Sequence, residues 1–109
     1  MIVTVFRSRL RPEAQEEYMQ WAKRMSELAK AMPGYISHKT FTAQDGERCT
    51  IAVFDTEEHM RDWSSHPEHV AAKQKGRASF YSEYDIKTCT VIRDHVFPKA
   101  DEQTTRAAN

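Results

Sequence analysis

A chain of 109 residues, 39% of them hydrophobic and 29% charged, has room for one domain with a modest core, and burying more apolar surface favours association with another subunit. Sixteen basic and sixteen acidic residues cancel, which removes the global field that would draw nucleic acid or an anionic membrane. No apolar run approaches the roughly 20 residues that span a bilayer, so the expected partners are a small molecule or another protein.

The opening segment, Met1 to Arg7, is too short and too soon interrupted for a signal peptide and reads as a first strand over residues 2–9. Arg11-Pro12 then announces a helix, with proline in its first turn. From Glu13 to Met32, Ala14, Tyr18, Trp21, Ala22, Met25, Leu28, Ala29 and Met32 recur at steps of mostly three and four, one stripe of an amphipathic helix. Glu13, Glu16 and Glu17 come early while Lys23, Arg24 and Lys30 come late, matching the helix dipole. Pro33-Gly34 ends it.

Two strand-like runs, Tyr35 to Ala43 and Arg48 to Phe54, flank Asp45-Gly46, a hairpin signal. A second helix starts at Asp55-Thr56, where Asp55 and Glu58 suggest a capping box. It carries Met60 and Trp63 and breaks at Ser64-Ser65-His66; Pro67 restarts a short helix that stops at Gly76. Phe80 and Tyr81 follow in a bend, and residues 83–93 form the last strand. The polar, patternless tail over 98–109 reads as disordered, leaving one domain over 1–97.

The order β-α-β-β-α-β, with its second helix in two pieces, is the ferredoxin-like, α+β arrangement around a four-stranded antiparallel sheet. Its strands are apolar on both parities: Ile2 and Phe6 against Val3 and Val5, then Cys49, Ile51 and Val53 against Ala52 and Phe54. The last strand repeats this, with Tyr84, Ile86 and Ile92 against Cys89 and Val91. The helices cover one face; a second sheet from another copy would cover the other, making a homodimer with a barrel-like core. Cys49 and Cys89, without CxxC spacing, read as two buried reduced thiols in a cytoplasmic protein.

Candidate chemistry concentrates between His59 and Tyr81, in His59, Trp63, His66, His69, Lys73, Arg77 and Tyr81. Trp63, if it faces the sheet, lines a pocket or simply fills core. His66-Pro67-Glu68-His69 has an i, i+3 spacing with no third ligand in register, so no metal site is expected. A histidine titrates near neutrality and suits a general base. His69, one turn past the helix break and able to face Trp63, is the first candidate and His59 the second. Arg7 and Tyr81 could donate to a developing phenolate or enolate. Phosphate-binding glycine loops and a Gly-x-Ser-x-Gly elbow are missing, which points away from nucleotide, NAD or flavin chemistry and from serine hydrolysis by these motifs.

The chain resembles the antibiotic biosynthesis monooxygenase family of small dimeric α/β-barrel proteins across residues 1–97. The likeness is carried by the opening strand, by Met32-Pro33-Gly34-Tyr35, and by Thr50 to Phe54 leading into Asp55-Thr56-Glu57-Glu58. It is strongest in Trp63-Ser64-Ser65-His66-Pro67-Glu68-His69-Val70-Ala71-Ala72, followed by Phe80-Tyr81 and the final strand. The resemblance implies a homodimer with a pocket in each subunit between helices and sheet. It further implies oxygenation of an aromatic, phenolic or quinol-like compound by dioxygen without metal or flavin, because the deprotonated substrate itself reduces oxygen. Trp63 would shape the pocket, His69 or His59 would act as base, and Arg7, His66, Phe80 and Tyr81 would contact substrate. Other members bind and degrade haem with an asparagine on the first strand, a tryptophan on the second helix and a histidine ten residues later. Here Trp63 matches, but Lys73 stands at the third position and Arg7 or Ser8 at the first, which leaves His66 or His69 as the alternative iron ligands. His59 stands four before the tryptophan, where asparagine is frequent, and His69 six after it, where tyrosine occurs. A haem-binding monooxygenase and a dimeric small-molecule binding protein without catalysis are the alternatives.

Overall fold

The computed structural model describes residues 1–98. Four antiparallel strands, β1 (Ile2–Leu10), β2 (Tyr35–Thr42), β3 (Arg48–Phe54) and β4 (Tyr81–Thr90), form one sheet in the order β2-β3-β1-β4. A single 3-10 turn at Pro12–Ala14 leads into α1 (Gln15–Ala31), and α2 (Glu57–Ser64) and α3 (Pro67–Lys75) divide the second helical region. This is the α+β ferredoxin-like order that the hydrophobic patterning predicts.

Three boundaries differ from expectation, each for a local reason. The cap of α2 is Thr56 rather than Asp55: its Oγ1 accepts the His59 backbone N–H at 3.1 Å. Asp55 instead turns its carboxylate to His59 Nδ1, 2.7 Å away. Between α3 and β4, Gly76–Phe80 winds as one π-helical turn, so the last strand begins at Tyr81 and ends at Thr90, leaving Ile92 outside the sheet. The tail expected to be disordered lies outside the described residues from position 99 onward.

Register fixes the two faces. Ile2, Thr4, Phe6 and Ser8 on β1 stand opposite Phe54, Ala52, Thr50 and Arg48 on β3, and opposite Thr90, Thr88, Ile86 and Tyr84 on β4. Partners directly across a strand pair share a face, and this is the face the helices cover. Its core joins Ile2, Phe54, Met60, Trp63 and Ala29, with Met25, Leu28, Met32 and Tyr35 packed around them. Phe54 is fully buried; each large side chain so placed stabilises the fold by about 1.5–3 kcal/mol.

The opposite face carries Val3, Val5, Cys49, Ile51, Val53, Phe41 and Cys89, with the charged Arg7, Lys39, Asp85 and Lys87 among them. Among the described residues nothing covers it: Phe41 and Ile51 are exposed, Val3, Val5 and Val53 half-buried. The expectation of buried thiols is corrected accordingly, since both cysteines are free but Cys49 is only half-buried and Cys89 exposed in the single chain. No helix of the described residues is long and apolar enough to cross a membrane.

Candidate active site

A cavity of about 550 Å³ lies between the helices and the sheet. Its floor is built by even-numbered strand residues, Thr4 and Phe6 on β1, Arg48, Thr50 and Ala52 on β3, and Tyr84, Ile86 and Thr88 on β4. The α1 stripe supplies one wall through Tyr18, Trp21, Met25 and Ser26. Trp63, His69, Lys73 and Arg77 supply another, and Phe80 and Tyr81 close the end where the π-helical turn enters β4. Tyr84 and Ile86 line the cavity yet are 42% and 53% exposed, so they mark its mouth on the edge strand.

The break between α2 and α3 shapes the chemistry. α2 stops at Ser64, and His66 caps α3 by accepting the Glu68 N–H on its Nδ1 at 3.1 Å. The helix is interrupted over Ser65 and His66, and His69 on the next turn packs onto Trp63. The two rings stack 4.2 Å apart with only 17° between their planes. His69 Nδ1 lies 3.0 Å from the Trp63 carbonyl oxygen. A carbonyl only accepts, so Nδ1 carries the hydrogen and Nε2 keeps its lone pair. Burial holds the imidazole below the ordinary value of 6.5; the carbonyl hydrogen bond opposes it in part, and the nearby Lys73 and His66 add smaller contributions in the same direction as burial. His69 is thus neutral at pH 7, with a free basic nitrogen in a largely apolar cavity.

Burial also pushes the Tyr81 phenol up, with Tyr18 adding to the shift, so Tyr81 is a neutral O–H donor. Its ring packs edge-on against Phe6 and Tyr18. Gly76 makes this placement possible: a Cβ there would come within 2.6 Å of the Tyr81 ring.

Of the residues expected from sequence to form the site, the cavity gathers Trp63, His69, Lys73, Arg77, Phe80 and Tyr81. Three others lie away from its lining. Arg7 shares the parity of Val3 and Val5, so it projects from the opposite face, where it forms a two-bonded ion pair with Glu47 at 2.9 and 3.0 Å. His59 is tied to Asp55, which raises its pKa first by their hydrogen bond, and it stands beside Gly34. His66 is occupied as the α3 cap, although its ring lies 6.1 Å from Trp63.

Sequence reasoning missed two participants. Arg48 opens β3 on the helix-facing parity, with its guanidinium carbon 5.3 Å from the centre of the Tyr18 ring and a buried Nε without a hydrogen-bond partner. Its parity with Thr50, Ala52 and Phe54 was the available signal. His38 bridges α1 and β2, with Nε2 at 3.0 Å from Ser26 Oγ and Nδ1 at 2.8 Å from the Tyr35 hydroxyl. Both its nitrogens are engaged, so it braces the wall. No single-strand pattern signals it, because β2 is irregular between Tyr35 and Ser37.

No group of three or more His, Cys, Asp or Glu side chains suited to a metal ion occurs among the described residues. The haem-degrading arrangement does not fit this chain. Lys73 replaces the histidine and its ammonium donates to Ser64 O at 2.7 Å and Oγ at 3.1 Å, while Arg7 faces away from the cavity.

Fold and cavity together define a small ferredoxin-like domain with a cavity on the helix side of its sheet. A sequence model described as antibiotic biosynthesis monooxygenase matches residues 1–75. YqjZ of Bacillus subtilis strain 168, itself uncharacterized, is 32% identical over 90 residues, 83% of this chain and 79% of that protein. The chain belongs to the antibiotic biosynthesis monooxygenase family. Among solved structures, a protein of Deinococcus radiodurans described as a putative member superposes with a TM-score of 0.80 at 10% identity, covering 91% of this chain and all of that one. SnoaB, a cofactor-independent oxygenase from Streptomyces nogalater, superposes with a TM-score of 0.73 at 18% identity, covering 90% and 97%.

Proposed function

We propose that this protein is a cofactor-independent monooxygenase acting on a phenolic or quinol-like aromatic compound, with His69 as its base. The observation that carries the reading is the Trp63–His69 pair: a stacked, neutral imidazole whose Nδ1–H is held by the Trp63 carbonyl, leaving Nε2 to take a proton. Family membership and the cofactor-independent relative SnoaB support it.

In this reading the aromatic ligand lies among Phe6, Trp63 and Tyr84, and Nε2 removes a proton from its phenol or activated methylene. The resulting anion is electron-rich enough to pass an electron to dioxygen. Recombination of the pair forms a C–O bond as a hydroperoxide, and loss of water turns the attacked carbon into C=O: a CH₂ group in the activated-methylene case, or in the phenol case a ring C–H ortho or para to the phenolate, whose own oxygen then becomes the second carbonyl of a quinone. One oxygen atom enters the product and the other leaves as water, with the substrate supplying the electrons. Tyr81, kept neutral by burial, would donate to the developing oxyanion. The apolar walls exclude water that would otherwise solvate and quiet the anion.

The same reading takes the protein as a homodimer, because the uncovered apolar face of the sheet is suited to a second copy. Oxygen uptake during incubation with a panel of hydroquinones and anthrones tests the activity. Uptake above the uncatalysed rate with at least one compound is expected. Rates indistinguishable from buffer across the panel, in protein shown to bind those compounds, would leave a binding domain without catalysis.

A further inference from the structure

The charges around the cavity are one-sided. Arg48, Lys73 and Arg77 line it, and no aspartate or glutamate does. On the surface, Arg7, Arg9, Arg24, Arg61, Lys75 and Lys87 each lie within 4 Å of a carboxylate. None of the three cavity cations has such a partner among the described residues. Arg48 is held by the face of the Tyr18 ring, and its Nε is buried with its hydrogen-bonding capacity unused. Lys73 spends its donors on Ser64 alone. Arg48 and Lys73 are half-buried while Arg77 is exposed; an unpaired cation at a partly buried wall is costly unless something compensates it, and burial followed by repulsion from Arg77 already holds Lys73 below its ordinary value.

We infer that the ligand of this cavity is an aromatic acid, whose carboxylate is received by Arg48 or by the Lys73–Arg77 pair while its ring system occupies the apolar centre. Guanidinium groups suit this role, since they match a carboxylate in a planar, two-bonded geometry. Either placement would leave the ring system among the apolar side chains of the cavity, Phe6 and Tyr84 among them. The inference rests on the reading of the cavity as the substrate site and names the class of substrate that it selects.

Calorimetric titration of the wild-type protein with hydroxynaphthoate, with its methyl ester and with naphthol tests this. The acid is expected to bind about tenfold or more tightly than the ester, and the gap to shrink as salt rises from about 50 to about 500 mM. Arg48→Gln and Arg77→Gln, each checked for native circular dichroism, should narrow the ratio between acid and ester to below about threefold in at least one case. Equal binding of acid and ester, a ratio untouched in both variants, or no binding of any of the three overturns the inference. A clear acid preference without oxygen uptake on any acidic hydroquinone would sink the oxygenase reading and leave a carboxylate-binding domain. Uptake with no acid preference would do the reverse.

Discussion

His69 and Trp63 touch twice: their rings stack at 4.2 Å, and the imidazole Nδ1 donates to the Trp63 carbonyl at 3.0 Å. The pairing ties the half-buried His69 to the buried Trp63, and this has a consequence for stability. Burial holds its pKa below 6.5, and burial does the same to His38. The unfolded chain then binds more protons than the native one in the interval below 6.5, so this contribution is complete above that pH and is lost as pH falls through the lower native values. His59, raised by Asp55, acts in the opposite sense, its stabilisation present at low pH and lost as pH rises through its native value, but it is exposed and screened. Thermal melts across pH 5 to 8 should therefore show melting temperature falling below about pH 6.5. His69→Gln should flatten that fall, leaving the part due to His38; an unchanged slope would contradict the burial of His69.

Trp63 is expected to matter to fold and site together. It is 8% exposed and sits in the central cluster with Phe54 and Met60. Trp63→Ala should cost about 3–5 kcal/mol in urea unfolding. Trp63→Phe should cost less, because an aromatic face for His69 is kept. Equal losses for the two would mean that neither the volume nor the aromatic face that phenylalanine keeps contributes to stability.

Two glycines in the left-handed region give a matched comparison. Gly34 at φ +82° ends the α1 connection, and a Cβ there would collide with Asp55 and His59. Gly46 at φ +93° turns the β2–β3 hairpin with open space around it. Gly46→Ala should lose about 1 kcal/mol, the backbone strain alone. Gly34→Ala should lose more and should also shift the His59 ring signals in NMR. A Gly34→Ala loss no larger than that of Gly46→Ala would argue against the close approach.

Pairing through the uncovered sheet face is tested at Ile51, which lies across from Val5 and beside the exposed Phe41. Sedimentation of the wild-type protein at micromolar concentration should give a dimer. Ile51→Lys should weaken association about tenfold or more, equivalent to about 1.4 kcal/mol per factor of ten. A wild-type monomer would overturn the pairing.

Much of the architecture was legible because it is written in local patterns. The α1 stripe from Tyr18 to Ala29, the Asp45-Gly46 turn and Pro67 opening α3 each depend on near neighbours in sequence, and all three stand in the structure. Trp63 and His69 were legible together because only six residues and one helix break separate them. Arg7 shows where chemical promise misleads: its guanidinium suits an oxyanion, but strand parity sends it to the other face, beside Glu47. Arg48 has the complementary history, an unremarkable position after a turn whose parity aims it at the cavity. The Ser26–His38–Tyr35 chain needs a helix and a strand brought together, which depends on tertiary packing rather than on spacing.

The most direct test of His69 as the base of a cofactor-independent oxygenase is a labelled turnover, following product by mass spectrometry under oxygen-18 gas. A compound from the anthrone and hydroquinone panel that supports uptake is given to wild-type protein and to His69→Ala. The account predicts one labelled oxygen per product, one dioxygen consumed per substrate, and a rate lower by about 10²–10⁴ in His69→Ala, the usual contribution of a positioned base. Unlabelled product, or a His69→Ala rate equal to that of the wild type, would contradict it.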